Sequence, residues 1–445
     1  MDIMNAQETK EGRRGTHVSK LTARTWISFI VIGLVGQFAW TIENMYFNVF
    51  LYNTISTNPN YIAAMVAASA VVATLTTLLM GALSDRIGKR KSLIVSGYIL
   101  WGLSTMAFRF IDLQRIHAWF PVANAVNTAA MAVVVMDCAM TFFGSTANDA
   151  AFNAYITDVT DDGNRGKVEA VLTTLPLISM LIIFGLFDSM TRQGRWGEFF
   201  TIFGLSVSAV GIFGVFLLKD EPQEPRREPY LANIVYGMRP SVIREHRRLY
   251  LALTSLGVFS IAVQVFFPYL IIYLQQYLKM NDYAVVLGIV LLVASVISVV
   301  GGRFIDKIGK LKFTLPALAV MATGLALMCV ARSMVAVILS GIVMMGGYML
   351  VQAALSATVR DLTPTDKVGH FQGIRMIFAV MLPMIIGPFI GSAVISNNGP
   401  TYVELGVVKT VPTPKIFLAA AAVSLITILP LRALQKETSP KGGME

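Results

Sequence analysis

The stretch Gly81–Lys89 reads GALSDRIGK, and a second stretch, Gly302–Lys310, reads GRFIDKIGK. Both fit the pattern G-x-x-x-D-[RK]-I-G-K, and their equivalent positions are 221 residues apart, about half of the 445-residue chain. Each copy forms a very short connection between two long apolar runs. A turn that recurs at the half-length predicts two similar halves joined in tandem. Repeats of this kind within a membrane are common in secondary transporters.

The composition predicts a membrane protein. Hydrophobic residues make up 55% and charged residues 14% of the chain, with a mean hydropathy of +0.65. A soluble domain carries about 25% charged residues, so this chain has too few to cover a water-facing surface. Runs of about 20 apolar residues predict membrane-spanning helices, and the sequence contains twelve, six in each half. We therefore expect an all-α integral membrane protein with twelve transmembrane helices.

The distribution of basic residues predicts the orientation. If both termini and the even-numbered connections share one side, that side holds 27 of the 36 Lys and Arg residues. Because basic residues are retained in the cytoplasm, we expect a multi-pass protein of the cell membrane with both termini cytoplasmic. The positive charge is attributed to this rule and to lipid headgroups, not to nucleic acid. The predicted segments are an N-terminal tail (1–25), a first six-helix bundle (26–218), a cytoplasmic linker (219–250), a second six-helix bundle (251–431) and a C-terminal tail (432–445).

Several functional classes are disfavoured by what the sequence lacks. It contains no phosphate-binding loop of the type G-x-x-x-x-G-K-[ST], which argues against a pump driven directly by ATP. Cys138 and Cys329 lie in apolar runs, and the four His are scattered, so no metal-ligand spacing occurs. No pattern predicts covalent catalysis, and no segment is long enough for the signalling domain of a receptor. We expect no enzyme activity, no cofactor and no metal.

The repeated stretch resembles the signature of the major facilitator superfamily, G-x-L-x-D-R-x-G-R-[RK]-[RK]. The first copy matches it at Gly81, Leu83, Asp85, Arg86, Gly88, Arg90 and Lys91, with Lys89 a conservative change. The second copy keeps Gly302, Asp306, Lys307, Gly309, Lys310 and Lys312, but has Phe304 at the Leu position and Leu311 within the basic run. The resemblance implies two pseudo-symmetric six-helix bundles around a central cavity, which opens alternately to each side. We expect a monomer.

The resemblance also implies a cytoplasmic gate. Its glycines are expected to allow close helix approach and an unusual turn conformation, and its Asp requires a basic partner or a helix N-terminus. Such contacts between the halves would form in one access state and break in the other, although the basic residues could also serve topology alone. The predicted gate residues are Gly81, Asp85, Arg86, Gly88, Asp306, Lys307, Gly309, Arg165 and Arg375.

Two acids within the predicted spans indicate a coupling site. Ionisable groups in hydrocarbon cost about 2.5–3.5 kcal/mol on insertion scales and usually face a cavity or a partner. Glu43 lies in the first span and Asp137 in the fourth, with Asp149 nearer the cytoplasmic end. We predict that these three acids bind a coupling cation, either H⁺ or Na⁺. Asp188 and Arg192, near the outer face, are interpreted as an exposed ion pair.

Polar and aromatic residues near these acids predict a solute site. In the first span, Gln37, Thr41, Asn44 and Asn48 are spaced to share one helix face, and the fourth span carries a similar polar stripe. The resemblance implies that the first, fourth, seventh and tenth spans line the cavity. The predicted substrate-binding residues are Gln37, Trp40, Asn44, Phe47, Asn48, Thr141, Asn148, Gln264, Tyr348 and Gln352. For each amide or hydroxyl, the alternative is a hydrogen bond that only joins helices.

The predicted function is cation-coupled uptake of a small polar solute, a sugar or glycoside in the first instance. Hydroxyl-rich solutes suit a polar, aromatic-lined cavity, and the pattern Gln37-x-x-Trp40-x-x-Glu43 resembles that of sucrose- and glycoside-type cation symporters. The alternative is a drug or metabolite–proton antiporter of the same superfamily. The G-x-x-x-G-P-x-x-G-G pattern frequent in such antiporters is missing from the fifth span.

Overall fold

The computed structural model describes residues 21–120, 124–161, 163–219, 237–364, 368–398, 401–404 and 407–438. Within them, twelve helices are long and apolar enough to cross a membrane, which confirms the predicted helical membrane fold. The N-terminal half contains α1 (Ala23–Ile55), α2 (Pro59–Ile87), α3 (Arg90–Phe110), α4 (Ala125–Val159), α5 (Arg165–Arg192) and α6 (Trp196–Leu217). The C-terminal half contains α7 (Arg247–Tyr277), α8 (Tyr283–Ile305), α9 (Lys310–Val330), α10 (Met334–Leu362), α11 (Phe371–Asn397) and α12 (Lys415–Glu437). Residues 1–20 of the N-terminal tail, 220–236 of the predicted linker and 439–445 of the C-terminal tail lie outside the described residues.

Local sequence signals set several helix ends. Asn58 caps α2 by accepting from the Asn60 N–H at 3.0 Å, and Pro59 fills the first turn, where no N–H is needed. Gly88 ends α2 with φ +68°, and Gly309 ends the helix of the second copy with φ +92°. Residues that carry a Cβ atom rarely adopt these backbone angles. Glycine therefore suits both turns, as the sequence predicted.

A short β hairpin joins α11 and α12. Strands β1 (Thr401–Glu404) and β2 (Val407–Thr410) pair antiparallel and are the strands found in the described part of the chain. Two further short helices, Leu113–Trp119 and Pro240–Glu245, lie in the connections before α4 and α7. We call the side of the Gly88 and Gly309 turns the motif face. The side of Asn58 and the hairpin is the opposite face.

Several long helices contain π turns, in which one extra residue widens the helix. Such turns frequently occur at functional sites. They interrupt α1, α4, α5, α7 and α11, at Ile42–Tyr46, Leu51–Ile55, Ser145–Phe152, Ile183–Phe187, Tyr273–Tyr277 and Ile377–Met381. Each shifts the angular position of the residues that follow, relative to a regular α-helix.

Glycines bring helix backbones together within each half. A Cβ atom on Gly102 of α3 would lie 2.3 Å from the carbonyl oxygen of Gly204 in α6. In the C-terminal half, a Cβ on Gly324 of α9 would lie 2.3 Å from the backbone nitrogen of Met344 in α10. Only glycine allows backbones to approach so closely. Each half is therefore tightly packed along these helix pairs.

Candidate functional site

Glu43 and Asp137 meet inside the N-terminal half. Glu43 is 7% exposed and Asp137 is 1% exposed, and the two carboxyl groups repel each other electrostatically. The Thr141 hydroxyl donates to Oε1 of Glu43 at 2.8 Å, and the Ser69 hydroxyl lies beside Asp137. Oε2 of Glu43 and Oδ1 of Asp137 have no hydrogen-bond partner among the described residues. Two predicted coupling residues are thus brought together as a buried pair, which we call the acid pair.

Asp149 lies on the motif side of the acid pair and acts on Glu43 electrostatically. Its carboxylate accepts from Ser145 at 3.2 Å and from the Asn148 amide at 3.4 Å. The Tyr98 hydroxyl lies 2.9 Å from Oδ1 of Asn148. Asn148, predicted to bind substrate, therefore links α3 and α4.

The polar residues of α1 that were expected to share one helix face bond to nearby groups. The π turn Ile42–Tyr46 interrupts the regular spacing on which that expectation depended. Thr41 lies 3.1 Å from the Ser179 hydroxyl of α5, and the amides of Asn44 and Asn48 donate to carbonyl oxygens of their own helix at 2.8 Å. These groups mainly join helices or bond to their own backbone.

The other residues predicted to bind substrate, on α1, α7 and α10, lie in different surroundings. Phe47 is fully buried and stacks on Phe108, with the ring centroids 4.1 Å apart. Trp40 packs against Trp101, with the ring centroids 5.0 Å apart. Gln37 is half-buried in α1. Two more predicted residues pack or bond locally. Gln264 faces Gly387 of α11, and the Gln352 amide donates to Ser356 on its own helix at 3.3 Å.

A cavity with a volume of about 530 Å³ lies between the halves, and we call it the central cavity. Of the predicted substrate residues, Tyr348 lines it. Its wall comes from α1, α5 and α7 to α10, and none of its described lining residues is charged. Six methionines contribute: Met45, Met180, Met328, Met344, Met345 and Met349. The cavity is thus apolar where the sequence predicted a polar one.

Asp188 holds the halves together near the opposite face. Its Oδ1 accepts from Tyr46 of α1 at 3.1 Å and from Tyr283 of α8, in the other half. Arg192 forms an ion pair with Asp188 at 3.1 Å, and it also donates to the carbonyl oxygen of Asn281 at 2.8 Å. The interpretation of Asp188 as part of an exposed pair is therefore wrong, because Asp188 is 1% exposed and its partners come from both halves.

Further hydrogen bonds between the halves lie near the opposite face. Ser392 donates to Asn60 at 2.7 Å, and Tyr52 donates to the carbonyl oxygen of Thr410 at 2.7 Å. The Gln276 amide lies 3.4 Å from Oδ1 of Asn53. These contacts join α1 and α2 to α7, α11 and the hairpin. The structure is accordingly closed at the opposite face.

The first motif copy is tied to its own half. Arg90 pairs with Asp85 at 2.5 Å and with Asp158 of α4 at 3.0 Å, and it donates to Ser84 at 2.6 Å. Its side chain is 9% exposed. A Cβ on Gly81 would meet nothing within 4 Å, so the close helix approach expected at this glycine does not occur in this state. We call Arg90, Asp85, Asp158 and Ser84 the Arg90 network. Arg90 and Asp158 were not among the predicted gate residues.

The second copy and the remaining gate residues also contact their own halves. Lys310 pairs with Asp361 of α10. Arg165 hydrogen-bonds to Thr157 and Thr160 at the end of α4, each at 3.3 Å. Arg375 lies near Arg360. The side chains of Arg86 and Lys307 are exposed, while that of Asp306 lies outside the described part of the chain.

Comparison with known proteins supports the architecture. The sequence matches the profile of the family described as Major Facilitator Superfamily over residues 29–388. Among curated proteins, no match to the chain is found.

Solved structures share the fold at low sequence identity. The nucleoside transporter NupG has a TM-score of 0.69 at 12% identity, and the match covers 92% of this chain and 98% of NupG. The xylose transporter XylE from E. coli, in a partially occluded inward open conformation, scores 0.64 at 14% identity, covering 93% and 99%. A POT family transporter in complex with 5-aminolevulinic acid scores 0.70 at 12% identity, covering 94% and 97%.

Proposed function

The chain belongs to the Major Facilitator Superfamily and is a secondary transporter, and we propose that it couples solute movement to a proton bound by Glu43 and Asp137. The observation that carries this proposal is the burial of both carboxyl groups side by side, each with one oxygen unpaired among the described residues.

The chemistry of the acid pair favours a proton. Burial disfavours a charged carboxylate, and two adjacent carboxylates cannot both be ionised at low cost. Among the described residues, no basic side chain forms an ion pair with either acid. One bound proton would relieve both the desolvation and the repulsion, and it needs no cage of further ligands. A sodium ion would need several oxygen ligands, as hard cations generally do.

The position of the acid pair favours coupling to alternating access. Glu43, Met45 and Tyr46 belong to one π turn of α1. Glu43 belongs to the acid pair, Met45 lines the cavity and Tyr46 donates to Asp188. Protonation of Glu43 would therefore act on a turn that also contacts the solute cavity and the closed face. Arg86 and Lys307, predicted gate residues that are exposed in this state, would find partners in the other half when the motif face closes.

The cargo has two candidate classes. Symport of a sugar or glycoside is the prediction from the sequence, and it rests on polar residues of α1 and α4. A drug or metabolite–proton antiporter is the second candidate, and the uncharged, methionine-rich lining of the cavity favours it. Both classes require the same coupling proton, so the acid pair can be tested before the cargo is chosen.

The test uses the full-length protein in proteoliposomes with a pH-sensitive dye inside. A panel of monosaccharides, methyl glycosides and neutral aromatic compounds is screened under separate proton and sodium gradients. We expect at least one solute to move with protons. Glu43→Gln and Asp137→Asn should lower gradient-driven flux about tenfold or more, which corresponds to about 1.4 kcal/mol or more of lost coupling.

Glu198→Gln is the matched control, because this exposed acid pairs only locally with Arg195. It should leave the flux unchanged. Flux driven by sodium alone would overturn the assignment of the proton. Unchanged proton-driven flux in both acid-pair variants would remove Glu43 and Asp137 from the coupling role.

A further inference from the structure

The wall of the central cavity is built for adaptable apolar contact. Methionine side chains are flexible and polarisable, and their sulfur atoms make favourable contacts with aromatic rings. Six of them line this cavity, together with Leu and Val residues from α5, α7 and α8 and the ring of Phe267. Such a surface can fit apolar bodies of different shapes. It offers little to a solute that must replace many hydrogen bonds to water.

The polar groups of the wall are few and mostly occupied. The hydroxyls of Thr173, Thr174 and Ser295 donate to carbonyl oxygens of the preceding turn, at 2.7–3.0 Å. The hydroxyls of Ser298 and Tyr348 have no hydrogen-bond partner among the described residues. A bound solute would therefore find two free hydroxyl groups. A monosaccharide would leave most of its own hydroxyls unpaired there.

From these features we propose that the cavity binds neutral, largely apolar aromatic solutes that carry one or two hydrogen-bonding groups. The inference rests on the proposed function, since it names the cargo class of that transporter. The absence of charge from the described lining disfavours an ionic solute, because an ion would be desolvated without a partner. The volume of about 530 Å³ is within the range of sites for drug-sized molecules.

The position of the cavity fits a cargo site in this closed-face state. Thr173 and Thr174 lie at its end nearer the motif face and are exposed. Toward the opposite face, Leu181 of α5 packs against Gly288 of α8, and the Asp188–Tyr283 contact lies beyond. A bound solute would thus be held between the halves and separated from the opposite face.

The experiment measures equilibrium binding of 2-naphthol, a neutral aromatic probe with one hydroxyl group. The full-length protein is reconstituted in lipid nanodiscs, and binding to empty nanodiscs is subtracted. We expect saturable binding of 2-naphthol and none of methyl β-glucoside. Binding of the glucoside without binding of 2-naphthol would overturn the proposal.

Variants locate the probe in the cavity. Met180→Gln places a polar amide in the wall and should weaken 2-naphthol binding about tenfold, because the amide must be desolvated. Met180→Leu should retain the affinity within about twofold, since it keeps an apolar wall of similar volume. Met131→Gln, on the exposed surface of α4, is the control for a methionine outside the cavity. Equal affinity in Met180→Gln and Met131→Gln would reject this cavity as the site.

A second variant guards against a folding defect in Met180→Gln. Tyr348→Phe removes one free hydroxyl and should weaken 2-naphthol binding about threefold to tenfold. Unchanged affinity would contradict the role given to this hydroxyl.

Binding and flux can fail separately. Saturable 2-naphthol binding without proton-coupled flux would support the cavity assignment and refute the proposed coupling. Proton-coupled flux of a glycoside without 2-naphthol binding would support the coupling and refute this cargo class.

Discussion

The two faces of the molecule use their polar contacts differently. At the opposite face, Asp188 joins Tyr46 of one half to Tyr283 of the other. At the motif face, Arg90 joins Asp85 to Asp158 within one half. Contacts between halves depend on the access state, whereas contacts within a half can persist through the cycle. We therefore expect the contacts at the closed face to govern the conformational equilibrium, and the Arg90 network to stabilise its own bundle.

The two copies of the motif also differ from each other. Arg90 is buried and contacts two acids, while Lys310 pairs with the half-exposed Asp361. Removing one partner from a buried ion pair leaves an uncompensated charge, whereas exposed pairs contribute little. The two motif copies are therefore similarly placed, but we expect their ion pairs to contribute unequally to stability.

Replacing Arg90 tests whether its network stabilises the N-terminal half, and it should have the largest effect on the free energy of unfolding. Arg90→Met leaves Asp85 and Asp158 without their shared partner, and we expect a loss of about 3–4 kcal/mol in the free energy of unfolding. The measurement is chemical unfolding in detergent micelles. Arg86→Met, at an exposed position on the other side of the Gly88 turn, should change this free energy by less than about 0.5 kcal/mol. Equal losses in the two variants would contradict a bracing role for Arg90.

Replacing Asp188 tests the closed face. Asp188→Asn weakens the charge-assisted hydrogen bonds from Tyr46 and Tyr283, and it should shift the equilibrium toward opening by about 2 kcal/mol, or about thirtyfold. The shift is read as slower disulfide formation between Asn53→Cys and Gln276→Cys, in a chain whose two native cysteines are replaced by Ser. Unaltered disulfide formation would show that Asp188 does not hold this face.

Removing one hydroxyl sharpens the same test. Tyr283→Phe deletes the hydrogen bond that crosses to Asp188 and should shift the equilibrium by about 1.5 kcal/mol, or about tenfold. Tyr277→Phe is the matched control, since this ring stacks on Tyr273 at 5.3 Å without contacting Asp188. Disulfide formation in the same cysteine pair provides the readout. A shift of similar size in the control would assign the effect to general loosening of α7 and α8.

The smallest effect is expected at the second motif copy. Lys310→Met removes a half-exposed ion pair and should change the free energy of unfolding by less than about 1 kcal/mol. The unfolding assay used for Arg90→Met measures it directly. A loss as large as that of Arg90→Met would mean that the two copies brace their halves equally.

The fold was predictable because its signals are local. Apolar runs of spanning length give the twelve helices, and Gly88 and Gly309 mark turns that require positive φ. Glu43 and Asp137 were predictable as functional candidates because acids in hydrocarbon are costly without a reason. That the two acids lie together as a buried pair depends on how α1 packs against α4, and a local sequence pattern does not predict this packing.

The rest of the site depends on features that local patterns do not show. The π turn Ile42–Tyr46 changes the angular register of α1, so a spacing based on 3.6 residues per turn misplaces Asn44 and Asn48. Asp188 and Arg192 have the i, i+4 spacing of a surface pair. Tyr283, whose hydrogen bond makes Asp188 part of a contact between the halves, is 95 residues away in the sequence and belongs to the other half.

The glycine contacts between α3 and α6, and between α9 and α10, have a mechanical consequence. Where the backbones are in contact at Gly102 and Gly204, no side chains separate the two helices, so these helices cannot easily slide past each other. Each bundle would then turn as a stiff lever about its contact with the other. A small displacement at one end of a stiff lever reappears, reversed, at its other end. Closing the motif face would thereby pull the opposite face apart, without any signal having to pass from residue to residue.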